Sequence, residues 1–258
     1  AVRQNKSAAF KEIFLNIILP VLGICALIFP ANLSTAALLF LTSMIIMFIG
    51  RTKISQLLGT LTFIGAIGGI VLLTILYVPN IEKAFPRAKT WASRLNSFSD
   101  KQDMSYQVLQ AKIAIAKGGI KGVGPGNSNQ RNFLPHPYSD FIFAIIIEEY
   151  GILGATFIIV LYLVLLFRCI LIVIKSPKAF GALLAVGLGV SLVLQAFIHM
   201  AVNVNLLPVT GLTLPLVSMG GTSMLFTSIA MGIILSVSRN IEESEEQGTE
   251  LENLKIKS

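Results

Sequence analysis

Six apolar runs constrain this chain more than any other feature, at about 12–29, 33–50, 57–78, 144–174, 180–203 and 209–237. A helix needs about 20 apolar residues to cross roughly 30 Å of hydrocarbon, and each run is near or above that length. Of the 258 residues, 54% are hydrophobic and only 13% are charged, and the mean hydropathy is +0.79. A water-soluble core could not bury that much apolar surface. The expected class is all-α, a polytopic helical membrane protein with about six transmembrane helices. The fourth and sixth runs are too long for plain spans, so each is expected to contain a broken or re-entrant segment.

Charge in the short loops orients the spans. Arg3, Lys6 and Lys11 precede the first run, and Arg51 and Lys53 separate the second from the third. Arg168, Lys175 and Lys178 close the fourth, and Arg239 follows the sixth. The alternate loops near 30–32 and 204–211 carry no Lys or Arg. Both ends are therefore expected in the cytoplasm, with the loop 79–139 outside. That loop holds nine Lys and Arg, but at about 60 residues it sits at the limit of the charge rule. One membrane domain is expected over 1–240, and a disordered cytoplasmic tail over 241–258. The chain opens Ala1-Val2-Arg3 without a signal-peptide pattern and is expected to be an internal piece of a longer one. Cys25 and Cys169 fall near opposite membrane faces, about 20 Å apart in depth, so they are expected as free thiols. No Cys/His cluster marks a metal site, and no phosphate-loop, nucleophile-elbow or zincin motif is present.

Two polar constellations interrupt the apolar pattern. In the first, YQVLQAKIAIAKGGI (106–120) reads as a short helix at the interface, with Leu109, Ile113 and Ala116 on one stripe. The glycine-rich run at 118–126 follows, and the stretch 118–139 reads as a flexible, basic approach to the membrane. Gly119, Gly122, Gly124 and Gly126 would give tight turns and room for a ligand. It ends at Asp140, on the lip of the fourth run. Acids at such depth are costly and are functional candidates by default, although Asp140 could equally cap the helix that starts with FIFAII. Glu148 lies about 12 Å further along a continuous helix, outside the range of a paired acid and base. It and Glu149 are expected to anchor the helix. In the second constellation, HMAVNVNLLPVTGLTLPLVSMGGTSML (199–225), Pro208 and Pro215 break the helix. The inner half should restart at about Thr222, with a helix N-terminus that attracts anions. An ordinary proline kink remains the plain alternative. Carboxylate, basic loop and helix end together suit a lipid-linked phosphate or pyrophosphate.

At these residues the chain resembles the SEDS family of bacterial cell-wall proteins, the RodA, FtsW and SpoVE types. The matching stretches are ANLSTAALL (31–39), SYQ (105–107), GGIKGVGPGNS (118–128), LPHPYSDFIFAIIIEEYGILGA (134–155) and LLPVTGLTLPLVSMGGTS (206–223). The resemblance implies a peptidoglycan glycosyltransferase that polymerises lipid II on the outer face of the bacterial cytoplasmic membrane. The transfer is inverting, and undecaprenyl pyrophosphate leaves. The family's essential acid falls on Asp140. A sugar hydroxyl needs a base, while a pyrophosphate needs charge stabilisation. Asp140 is accordingly the candidate base. Lys117, Lys121 and Arg131 are the candidate pyrophosphate contacts, together with Ser218, Gly220, Gly221, Thr222 and Ser223 of the turn. Gln107, Gln110 and His199 complete the candidate substrate-binding set. A divalent cation could assist, though no ligand cluster marks one.

The motif GLTLP (211–215) resembles the FtsW, cell-division pattern more than the RodA, elongation pattern. The FtsW type implies a class B penicillin-binding transpeptidase and other division proteins as partners, with membrane lipid around it and no nucleic acid. A lipid II flippase and a non-catalytic scaffold are the competing readings. Three positions depart from the family pattern: His199 stands for Asn, Asn205 for Gly and Met219 for Tyr. The family has ten spans, and these six correspond to the last six.

Overall fold

The computed structural model describes residues 14–77, 94, 106–176 and 179–256, and the regular structure among them is helical. After a π-helical turn at Phe14–Ile18 come α1 (Leu19–Ile28), α2 (Leu33–Ile49) and α3 (Ile54–Tyr77). Then follow α4 (Tyr106–Gly118), a 3-10 turn at Gln130–Asn132, α5 (Ile142–Lys175), α6 (Ala179–Asn203) and α7 (Gly221–Ile256). Arg3, Lys6, Lys11, Lys178 and the loop residues 79–93 and 95–105 lie outside the described residues. So do 12–13 and 78 of the apolar runs and 257–258 of the tail.

Among the described residues, three helices are long and apolar enough to cross a membrane: Ile142–Lys175, Ala179–Asn203 and Gly221–Ile241. The first three runs form shorter apolar helices, Phe14–Ile28, Leu33–Ile49 and Ile54–Ile70. Local chemistry sets the boundaries. Pro20 occupies the first turn of α1, directly after the π-helical turn. The Asn32 side chain caps α2 by accepting from Thr35 N–H at 3.2 Å, the usual task of an N-cap amide.

Both over-long runs are broken. Inside α5, Gly151 leaves helical geometry at φ 68° and ψ −166°. The run from 209 is irregular up to Gly220, and the helix begins only at Gly221. Pro208 and Pro215 therefore sit in an extended and turned segment, not in a kinked helix. Asn205 holds φ 59°, a left-handed conformation that Asn tolerates, which explains how it stands where the family pattern has Gly. α7 continues to Ile256. The stretch 241–256, expected to be disordered, is therefore helical in its backbone.

The core sits between α5 and α6. Phe143, Ile147, Ala155 and Tyr162 pack with Val193, Ala196, Met200 and Leu214. A second cluster joins Cys169 and Ile172 to Ala185, Leu192, Ala230, Ile234 and Ile241, bringing in α7. Small residues set the spacing, as between helices in lipid: a Cβ on Gly189 would land on the Cys169 sulfur. Cys25 and Cys169 are both free.

Candidate functional site

The site begins where the chain enters α5. His136 takes φ 54°, and its carbonyl accepts from Ser139 N–H at 3.1 Å and Asp140 N–H at 3.2 Å. The resulting tight turn delivers Asp140 beside Phe141, which is buried at 2% exposure. Phe141 packs with Ala111, Ala114 and Leu134. Asp140 does not cap the helix. The N-cap position is Phe141, and it has no side-chain cap of its own.

The cap comes from 59 residues away in sequence. Asn203 Oδ1 accepts from Ala144 N–H at 3.1 Å, while Nδ2 donates to the Asp140 carbonyl at 3.1 Å and the His199 carbonyl at 2.9 Å. Asn203 is 1% exposed, and it joins the end of α6 to the start of α5 through both sides of its amide. The Asp140 side chain is thereby freed. Its Oδ1 accepts from Ser139 Oγ–H at 2.9 Å, and Oδ2 has no donor among the described residues. Oδ2 faces Gly211, where an added Cβ would stand 3.9 Å away.

The opposite wall is the segment 210–223. Ser218 Oγ accepts from Leu214 N–H at 2.7 Å and donates to the Ser139 carbonyl at 2.7 Å. Met219 N–H donates to the Tyr138 carbonyl at 2.8 Å. These bonds clamp the start of α7 onto the Asp140 turn. Ser218 is 2% exposed, and its hydroxyl is fully engaged in that clamp. Thr213 and Ser223 hydroxyls meet at 2.9 Å, and Gln195 donates to the Thr213 carbonyl at 2.9 Å. The Tyr162 hydroxyl donates to the Pro215 carbonyl and ties the segment to α5. The first bond into α7 runs from Met224 N–H to the Gly220 carbonyl. The N–H groups of Gly221, Thr222 and Ser223 therefore have no helical partner, which is the property that draws anions to helix starts. His199 Nδ1 lies 2.7 Å from the Leu212 carbonyl. A carbonyl can only accept, so Nδ1 carries the proton. Nε2 is buried without a partner among the described residues.

Asp140, His199, Ser218, Gly220, Gly221, Thr222 and Ser223 thus converge on one end of the bundle. Gln107 and Gln110 are half-buried on the first turns of α4, just before the Ala111 contact with Phe141. The other candidates lie elsewhere. Gly118 packs on the backbone of Ile147 and Glu148, so Lys117 stands about 10 Å along α5 from Asp140 at about 1.5 Å per residue. Lys121 lies at the Gly151 break. Arg131 is half-buried in the 3-10 turn, its N–H bonded to Ser128 Oγ at 3.2 Å.

The glycine-rich run serves the fold and does not form a flexible approach. Val123 and Gly124 N–H groups donate to the Glu148 and Glu149 carbonyls at 2.9 and 3.0 Å. Ile152 and Leu153 N–H groups donate to the Gly119 and Ile120 carbonyls at 3.0 and 3.4 Å. The loop is spliced into the break in α5 and pairs the backbone groups that the break exposes. A Cβ on Gly118, Gly122 or Gly151 would overlap backbone atoms across this splice. The close approach that needs glycine is to the protein's own chain at Gly122, not to a ligand. Glu148, 0% exposed, completes the splice. It accepts from Ser128 Oγ–H and, at 3.2 Å each, from Asn129 and Gln130 N–H. The α4 stripe is also reassigned. Ala111, Ala114 and Gly118 face α5, whereas Leu109 and Ala116 are exposed, because only the smallest residues fit at that close contact. Asn203 was not among the expected site residues, although its spacing of four from His199 places both on one face of α6.

A family profile, FTSW_RODA_SPOVE, described as "Cell cycle protein", matches residues 1–243. The chain is 36% identical over 245 residues to stage V sporulation protein E of Bacillus subtilis, covering 92% of this chain and 63% of that protein. It is 37% identical over 221 residues to the probable peptidoglycan glycosyltransferase FtsW of Nitrosococcus halophilus, covering 83% of this chain and 54% of that protein. The chain thus spans a little over half the length of these relatives. A solved structure, described as "Structural coordination of polymerization and crosslinking by a peptidoglycan synthase complex", contains a chain that matches with a TM-score of 0.65 at 23% identity. The match covers 88% of this chain and 62% of that one. At that identity the likeness is one of fold.

Proposed function

The chain belongs to the FtsW/RodA/SpoVE family, and from that premise we propose that the protein polymerises peptidoglycan glycan strands from lipid II, with Asp140 as the general base. The acceptor's sugar hydroxyl attacks the donor's anomeric carbon while its proton passes to Asp140. The bond from that carbon to the pyrophosphate oxygen breaks, the electron pair leaves with undecaprenyl pyrophosphate, and the centre inverts. A positioned base is worth about 10²–10⁴ in rate. The N–H groups that open α7, held beside the Asp140 turn by the Ser218 and Met219 bonds, supply charge stabilisation for the leaving group.

The observation that carries this reading is the state of the Asp140 carboxylate. One oxygen is held by Ser139, and the other is open beside Gly211. A capping carboxylate would be spent on backbone N–H groups, whereas this one remains free to take a proton. The relatives named as peptidoglycan glycosyltransferases support the reaction class. A chain of the same fold belongs to a complex that coordinates polymerization and crosslinking, and the proposal extends to a cross-linking partner, for which the FtsW resemblance implies the class B penicillin-binding type. The FtsW names among the relatives favour the FtsW type, for which the resemblance implies a role in division.

The test reconstitutes the full-length protein with its partner in lipid vesicles and supplies lipid II. Glycan polymer from wild type, and at least about 100-fold less from Asp140→Asn, is the expected outcome. Undiminished polymer from the variant would remove Asp140 from the mechanism. Movement of lipid II between leaflets with no polymer would replace the enzyme reading by that of a lipid carrier.

A further inference from the structure

A cleft of ≈ 380 Å³ runs between α5 and α7, at the opposite end of α5 from Asp140. Its walls are apolar, with Leu161, Val164 and Leu165 on one side and Met231 and Leu235 on the other. Arg168 and Lys175 also line it, and no Asp or Glu does among the described residues. Arg168 stands seven residues before Lys175, the last residue of α5, which is about 10 Å along the axis. Its neighbours Phe167 and Ile170 are 59% and 44% exposed, so the guanidinium rises from inside the apolar belt. It is exposed to the cleft and makes no ion pair among the described residues. An arginine at such depth is costly unless an anion meets it, although its long stem can lift the charge toward the headgroups.

We propose that this cleft binds one anionic phospholipid. An acyl chain lies along the Leu161, Val164 and Leu235 walls, and the phosphate is met by the Arg168 guanidinium, whose fork suits two phosphate oxygens at once. Lys175, two turns further on, stands at headgroup level. Apolar walls with basic residues at one end fit a lipid better than a free phosphate, which has nothing to place along the walls, or an extended peptide, whose backbone would stay unpaired there. Basic clefts between helices are a general way to hold anionic headgroups. Neither Asp140 nor the transfer reaction is needed for this binding.

The experiment uses the full-length protein, delipidated and then exposed to equal phosphatidylglycerol and phosphatidylcholine, with retained lipid read by native mass spectrometry. Wild type should retain phosphatidylglycerol over phosphatidylcholine by about fivefold, the factor one Lys or Arg near an anionic headgroup supplies. Arg168→Gln should bring the ratio to about one and Arg168→Lys should keep part of it. Val164→Trp should expel the lipid by filling the cleft with Arg168 intact. Arg168 lines the cleft and is exposed, so its variants should melt as wild type does. Equal retention of the two lipids by wild type, an unchanged ratio in Arg168→Gln, or displacement by millimolar inorganic phosphate would overturn the proposal.

Discussion

Asp140 and Glu148 stand eight residues apart at the two ends of the first segment of α5, and they are built in opposite ways. Glu148 is fully buried and accepts from a hydroxyl and two backbone N–H groups. Asp140 is partly exposed and accepts from one hydroxyl. The capping work that would occupy Asp140 is done by Asn203, from another helix. A carboxylate saturated by donors is a structural pin. A carboxylate whose local duty has been handed to a distant amide has an oxygen left for chemistry.

The comparison breaks most easily at the splice that Glu148 serves. Gly151→Ala puts a Cβ into the backbone of Ile120 at a left-handed φ. It should cost about 4 kcal/mol or more, as a severe steric and backbone conflict does, and yield little monodisperse protein on size exclusion. Glu148→Ala leaves three donors unpaired and should cost about 3 kcal/mol, read as a lowered melting temperature. The surviving folded fraction should keep its turnover per molecule. If turnover falls while the melting temperature holds, Glu148 belongs to the chemistry and the contrast is wrong.

The other end of the segment should answer in activity more than in stability. Asn203→Ala removes the cap on α5 for about 1 kcal/mol and lets the Asp140 turn drift, so kcat should drop by about tenfold, in line with the cost of a misplaced catalytic group. A melting temperature that falls with kcat unchanged would make Asn203 only a cap. Gly221→Leu should have the smallest structural effect, within about 0.5 kcal/mol, because nothing lies within 4 Å of its added Cβ. It should raise KM for lipid II, and normal KM would count against an anion site at the start of α7.

The membrane class, the long broken runs and the restart near Thr222 were legible in the sequence, because hydropathy, proline and glycine act locally. Asp140 stood out for the same reason: one acid beside an apolar run is conspicuous. The division of labour between Asp140 and Asn203 was not legible, since the capping bond joins Ala144 to Asn203, 59 apart in sequence. The glycine run was seen but misread. Local rules explain why glycine turns, and only the fold shows that Gly122 and Gly151 meet backbone across the break in α5. Lys117 and Lys121 were candidate pyrophosphate contacts beside Asp140. α4 lies parallel to the first segment of α5, which carries them toward the Gly151 end.

The central claim is that Asp140 is open for proton transfer while Glu148 is closed. The most direct measurement compares Asp140→Asn with Glu148→Gln in full-length protein, scoring lipid II polymerisation per folded molecule. The expected result is a loss of at least about 100-fold for the first and less than about threefold for the second. Equal losses in the two variants, or full activity in Asp140→Asn, would contradict it.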